Sequence, residues 1–201
     1  MTTFAELEAL VIGQTRRPEV PAITKAAVKS AVLRAHHVDF FPRDLVTGSL
    51  VYAPTSAVVY YDLASISTLL PRLRALKFLQ GLDASSFQVV EKLEWREADD
   101  IYDADGRLRP SVYTLIGDTL RVYPRLHTGR LAPFYYANPQ TSESSFNSWI
   151  ADMYPDEVAL WAAGIVFART GFAEQAQNFQ ETHVKPFKEM LVSSHLLGTV
   201  N

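Results

Sequence analysis

The sequence predicts a single soluble α+β domain, in which a helical bundle built from the N- and C-terminal segments carries a central antiparallel β-rich insert. Three observations carry that prediction. Apolar residues recur at spacings of three and four before residue 43 and again from 146 to 191. Between them, residues 44–137 are rich in Val and Tyr and are punctuated by Asp-Gly and Gly-Asp pairs, as strands and tight turns are. At 201 residues, 48% hydrophobic and 20% charged, the chain is long enough for one domain with a real core.

Thr3-Phe4-Ala5-Glu6 has capping-box spacing, so a helix starts there, runs to about Val11 and closes at Gly13. After an Arg16-Arg17-Pro18 linker, Pro21 suits the first turn of a second helix. Ile23, Ala27, Ala31, Ala35 and Val38 share one side of it, with Lys25, Lys29 and His36 opposite and Arg34 interrupting. Phe41-Pro42 ends it, because proline disfavours a helical residue before it.

Leu45–Tyr52 and Ala57–Tyr61 read as a hairpin or two neighbouring strands around Ala53-Pro54-Thr55-Ser56. Leu69–Leu79 is ambiguous: Pro71 can start a turn or two of helix, and Gly81 stops the segment. Phe87–Tyr102 reads as extended, with Asp105-Gly106 as a turn, and Val112–Ile116 pairs with Thr119–Tyr123 around Gly117-Asp118. Arg130–Tyr136 is a further strand.

Helical period then returns with a short Trp149–Met153 segment. Pro155 opens a helix to about Thr170 that is apolar nearly all round, the mark of a buried central helix, with Gly171 at its C′ position. In the last helix Phe172, Ala176, Phe179, His183, Phe187 and Met190 share a face, and Pro186 should kink it. Residues 192–201 form a C-terminal tail with no reason of its own to stay ordered.

Composition excludes several function classes. A net charge of −3 gives no basic excess for wrapping nucleic acid. The absence of cysteine removes disulfides, thiolate metal sites and thiol nucleophiles. Glu6 and Glu8 stand where a signal peptide needs basic and apolar residues, and no apolar run approaches the roughly 20 residues of a membrane span, so a reducing aqueous compartment and no membrane are expected.

Asp99, Asp100, Asp103 and Asp105 precede Gly106. A calcium loop in that register would need oxygen ligands at Ile101 and Val112, so a solvated acidic turn is the better assignment. No His pair has zinc spacing, His36 and His37 point to different helix faces, and His183 on an apolar stripe reads as a hydrogen-bonded core histidine. No nucleophile elbow, phosphate loop or dinucleotide fingerprint occurs, and a Ser-His-Asp set drawn from distant segments would leave no local signature. Phe134 and Tyr136 should face one way along their strand and Tyr135 the other, which favours core packing over a sugar platform. Arg72, Arg74 and Lys77 alternate with Leu73, Leu76 and Phe78. They form a solvated basic face or a candidate contact patch for an acidic partner or nucleic acid. No catalytic, cofactor-binding or metal-binding residue is singled out, and the chain reads as a non-enzyme.

The order of phrases carries a resemblance. Phe41-Pro42-Arg43-Asp44-Leu45 follows the N-terminal helices, then come Tyr60-Tyr61-Asp62-Leu63 and Leu70-Pro71-Arg72-Leu73-Arg74-Ala75-Leu76. Tyr113 to Pro124 (Tyr-Thr-Leu-Ile-Gly-Asp-Thr-Leu-Arg-Val-Tyr-Pro), Tyr135-Tyr136-Ala137-Asn138-Pro139 and Trp149-Ile150 complete the series. Over about Ala22 to Phe187 the chain resembles the head-to-tail adaptor, or head-completion, proteins of tailed bacteriophages, through packing and turn phrases rather than catalytic signatures.

The resemblance implies a structural virion component at the head-tail junction, made in the host cytoplasm. It implies a homo-oligomeric ring, dodecameric in such adaptors, below the portal protein, extending the DNA channel and docking tail or nozzle proteins. DNA would pass without specific recognition, past a mildly acidic wall that does not hold it. The portal-facing segment would be the tail, with His195, Leu196, Leu197 and Val200 as contacts. The strand-rich insert is fuller than in the smallest, nearly all-helical adaptors. Rival classes are a tail-terminator or tail-tube protein, and a small hydrolase or carbohydrate-binding module using the acidic and aromatic residues of the middle.

Overall fold

Packing divides the chain into two units, residues 1–44 with 138–201 and residues 45–137. The computed structural model describes residues 1–51, 59–62, 68–83, 85–97, 99–107, 109, 111–116, 119–123 and 129–198.

The first unit is helical. α1 (Phe4–Thr15) starts on a complete capping box: Thr3 Oγ1 accepts from Glu6 N–H at 3.2 Å and Glu6 Oε2 accepts from Thr3 N–H at 2.7 Å. It continues through Gly13, and Arg16 in the left-handed region ends it. α2 (Pro21–His36) opens on proline and buries Thr24, Ala27, Val28, Ala31, Val32, Ala35 and His36. A 3-10 turn (Pro42–Asp44) follows. After the return of the chain come α3 (Trp149–Met153), capped by Ser148, and α4 (Pro155–Arg169). Gly171, at φ +85°, takes the C′ position, and Phe172 N–H reaches Phe167 O at 2.9 Å. The Phe167 and Phe172 rings meet at 6.2 Å, which completes a Schellman stop.

α4 is the hub. Ala159, Ala162 and Ala163 are buried, and the Gly164 backbone sits under the Phe179 side chain, so α1, α2 and α5 (Ala173–Phe179) approach closely from different sides. α5 buries no residue fully. A π-helical turn (Gln180–Val184) then joins it to α6 (Lys185–Gly198), with Lys185 N–H reaching back to Gln180 O. Pro186 has no N–H to continue the regular ladder, and the wider turn accommodates it. The extra residue moves the apolar stripe by one position. Val184, Phe187 and Leu191 are buried, whereas His183 is exposed and Met190 is 37% exposed. His183 is therefore not the core histidine that an unbroken helix implies. α6 also carries residues 192–198 as helix, where the sequence suggested a tail.

The second unit is a curled mixed sheet of β1 (Leu45–Thr47), β2 (Leu50–Val51), β3 (Val59–Asp62), β4 (Leu73–Leu82), β5 (Val89–Trp95), β6 (Val112–Ile116), β7 (Thr119–Tyr123) and β8 (Arg130–Ala137). The path runs β1-β8-β4-β5-β6-β7-β3, with β2 also on β8. Its inner face packs Leu50, Leu79, Leu93, Tyr113, Leu131 and Tyr135 into one cluster. β6 and β7 pair antiparallel from Val112↔Tyr123 to Ile116↔Thr119; the turn residues Gly117 and Asp118 lie outside the described residues.

These findings correct the predicted architecture of a helical bundle around an antiparallel insert. The helices gather on α4 instead of sharing a bundle axis, and the last one is broken by the π turn. The sheet is mixed, because β5 and β6 run parallel through Glu94↔Val112 and Trp95↔Tyr113. A parallel neighbour needs a crossover, and residues 96–111 provide it, with the Asp105-Gly106 turn inside. β1 and β3 do not form a hairpin. β1 joins β8 at one end of the sheet and β3 joins β7 at the other; Ala53 to Ser56 lie outside the described residues. The ambiguous segment after Pro71 is strand β4, not helix.

Candidate functional site

The polar side chains with a catalytic-looking geometry come from three places in the helical unit. α2 ends on His36, the 3-10 turn ends on Asp44, and Ser148 caps α3 just before Trp149. Their exposures are 2%, 6% and 2% for His36, Asp44 and Ser148. His36 Nδ1 lies 2.8 and 3.0 Å from the two Asp44 carboxylate oxygens, and Nε2 lies 2.9 Å from Ser148 Oγ. Trp149 Nε1–H donates to Asp44 Oδ1 at 2.8 Å. Ionised, Asp44 can only accept, which puts a proton on His36 Nδ1. In the neutral ring, Nε2 then accepts the Ser148 hydroxyl proton.

Hydroxyl to Nε2 and Nδ1–H to carboxylate is the connectivity of a serine nucleophile, its base and the orienting acid. The same groups also carry structural bonds. Ser148 Oγ also accepts from Ala151 N–H at 3.2 Å, as an N-cap does. The neighbouring cavity, with Phe41, Arg43, Trp149, Met153 and Tyr154 in its wall, includes neither Ser148 nor His36. No carbonyl substrate reaches the hydroxyl from that side. The network ties the end of α2, the 3-10 turn and the start of α3 together, and it fixes the Trp149 indole. Edge contacts to His36 (5.7 Å) and Phe41 (5.3 Å) hold that ring from two sides.

Sequence reasoning placed His36 on the solvent side of α2 and left this network unassembled. The buried positions 24, 27, 28, 31, 32, 35 and 36 form a stripe rotated toward His36 relative to the one drawn through Ile23 and Val38. Val28 and Val32 were the signal for that rotation. The Ser148 cap signal before Trp149 was legible as well.

The basic residues lie in the sheet unit. Arg72 is exposed in the turn before β4, at φ +63°. β4 slips register against β8 between Leu73 and Ala75 and again between Leu76 and Phe78, so Arg74 and Lys77 are the residues at two bulges. Bulges re-aim side chains, and Lys77 Nζ sits 5.6 Å above the Tyr136 ring. Beside it Phe78 and Phe134 stack at 4.4 Å, and Lys92 Nζ lies 5.7 Å over Phe78. Tyr135 points into the core, and its hydroxyl donates to Pro71 O at 3.3 Å. His195, Leu196 and Leu197 ride on the last turns of α6, in the helical unit; Val200 lies outside the described residues.

In the acidic turn, Asp103 Oδ1 accepts from the N–H groups of Asp105 (3.0 Å) and Arg107 (2.8 Å), and Asp100 pairs with Arg96 and Arg109. Among the described residues no three His, Cys, Asp or Glu side chains are grouped to hold a metal ion. Asp83 accepts from the Ser85 and Ser86 hydroxyls and N–H groups, which hold its carboxyl far below the usual range. Burial pushes the Tyr113 phenol up.

No family model and no curated protein matches the chain. No helix of the described residues is long and apolar enough to cross a membrane.

Proposed function

We propose that this chain is a non-enzymatic structural protein of a tailed-bacteriophage virion, a head-to-tail adaptor that forms a ring below the portal and docks tail proteins. The resemblance of its phrases from Ala22 to Phe187 supplies the class. The observation that carries the non-enzymatic part is the Ser148 hydroxyl, 2% exposed and used as a helix cap. A side chain so sealed serves rigidity, and rigid subunits suit a ring whose small lateral contacts must add up. On this proposal α6 and the residues after it face the portal, with His195, Leu196, Leu197 and Val200 in contact. The Arg72, Arg74 and Lys77 patch is the second contact surface, and the virion is the place of action.

Purified chain mixed with the portal protein of its own genome should give a stoichiometric ring complex by electron microscopy. Truncation after Val192 keeps Leu191, a buried anchor of α6, so the fold should persist while portal binding weakens. Undiminished binding by the truncated chain would remove the portal role from the C-terminal segment.

A hydrolase is the second possibility, favoured by the Ser148–His36–Asp44 connectivity alone. A fluorophosphonate probe separates the two: stoichiometric labelling of Ser148 would establish a nucleophile, and no labelling is expected.

A further inference from the structure

We propose that the cavity beside Trp149 is a docking site for a partner-protein segment that presents an apolar side chain next to a carboxylate. This goes beyond the adaptor assignment and does not depend on it. The cavity measures about 370 Å³, within the roughly 300–1,000 Å³ of ligand pockets. Its wall is largely apolar and aromatic, from Phe41, Pro42, Trp149, Met153 and Tyr154, with Ser194 of α6 adding one hydroxyl.

One cation stands in that wall. Arg43 is exposed, its guanidinium lies 5.2 Å from the Trp149 ring centre, and one of its nitrogens is 2.9 Å from Met153 Sδ. Among the described residues no carboxylate pairs with it. A guanidinium held over an indole keeps its outer N–H groups turned to an incoming anion, and it binds carboxylates through two parallel bonds.

The site is also preorganised. The indole is locked by its bond to Asp44 and by the edge contacts to His36 and Phe41, so the aromatic wall does not have to be ordered on binding. This gives the buried Ser-His-Asp set a purpose other than catalysis. One fixed cation beside an apolar hollow discriminates poorly among small metabolites, which need several placed polar groups. It is sufficient for an anchor side chain flanked by Asp or Glu on a partner chain.

Two capped tetrapeptides probe the site on the full chain: acetyl-Leu-Glu-Phe-Asp-amide and its uncharged counterpart acetyl-Leu-Gln-Phe-Asn-amide. Titrations followed by 15N–1H spectra should show saturable shifts of the Trp149 indole and Arg43 Nε resonances with the acidic peptide. The amide peptide should bind at least tenfold more weakly. Arg43→Gln should erase the difference between the peptides. Met153→Glu, on an exposed helix position, should abolish acidic-peptide binding by supplying an internal carboxylate while leaving the melting curve in place. Equal affinity of the two peptides for the wild-type chain would overturn the proposal, as would absence of saturable shifts at Trp149. So would 3-phenylpropionate binding as tightly as the acidic peptide, since that makes the site one for small carboxylates.

Discussion

Asp44→Ala tests the assignment of the buried network as a structural tie. The substitution removes the acceptor of two donors, His36 Nδ1–H and Trp149 Nε1–H, in a site where His36 is 2% exposed. Each buried donor left without a partner costs about 1–3 kcal/mol, which sets a range of about 2–6 kcal/mol before water entry relieves part of it. A loss of about 3 kcal/mol is a large share of the ~5–15 kcal/mol that holds a domain folded. At about 2–4 °C per kcal/mol for a chain of this size, melting of the helical unit should fall by ~6–12 °C. The assay is a pair of thermal melts, far-UV circular dichroism for the helices and tryptophan fluorescence for the indole environment. Asp44→Asn keeps one acceptor oxygen and should lose less than Asp44→Ala. Ser148→Ala loses the cap and the Nε2 partner, for about 1–2 kcal/mol. Because Asp44 and Ser148 both act through His36, the double variant should fall short of the sum of the singles. A melting point for Asp44→Ala within about 2 °C of wild type, below the cost of even one stranded donor, would refute the assignment.

Three further outcomes follow from other parts of the molecule. Leu191→Ala should cost about 2–5 kcal/mol in chemical denaturation, whereas His183→Ala should stay within about 0.5 kcal/mol, and the reverse ranking would remove the π-turn shift of the stripe. Tyr113, its phenol pKa raised by burial, contributes stability that is complete below the free-tyrosine value of about 10 and is lost as pH rises through its higher folded value. Burial raises the Tyr135 phenol as well, so absorbance at alkaline pH should show a late-titrating tyrosine class that Tyr113→Phe diminishes by one phenol without emptying. Glu143, held down by its bond to Lys25, stabilises above the ordinary carboxylate range. That contribution fades as pH falls through its lowered value, and Glu143→Gln should flatten the acid limb of the stability profile.

Local chemistry made a good part of the molecule legible without coordinates. Thr3 and Glu6 carry their own capping box. Gly171 supplies the positive φ that stops α4, and the strands on either side of Gly117-Asp118 pair with each other as so short a link between them predicts. Each of these depends on residues within one or two turns of one another, so the physics lies inside a short window. Phe134 and Tyr135 divide between the sheet faces for the same reason.

Tertiary structure alone decided the rest, because those features depend on partners far along the chain. β3 reads the same whether it pairs with β2 or β7, and β5 whether its neighbour runs parallel or antiparallel; strand alternation carries no information on either choice. His36 looks like a surface histidine until Asp44 and, 112 residues away, Ser148 supply its partners in the interior. Pro186 announces a kink in the helix through His183, but only the structure shows it as a π turn over Gln180–Val184 that rotates the stripe by one residue. Its own sequence determined where this chain turns, caps and alternates; burial and long-range pairing determined that Ser148, His36 and Asp44 meet in the interior, since partners so far apart along the chain are joined only by the fold.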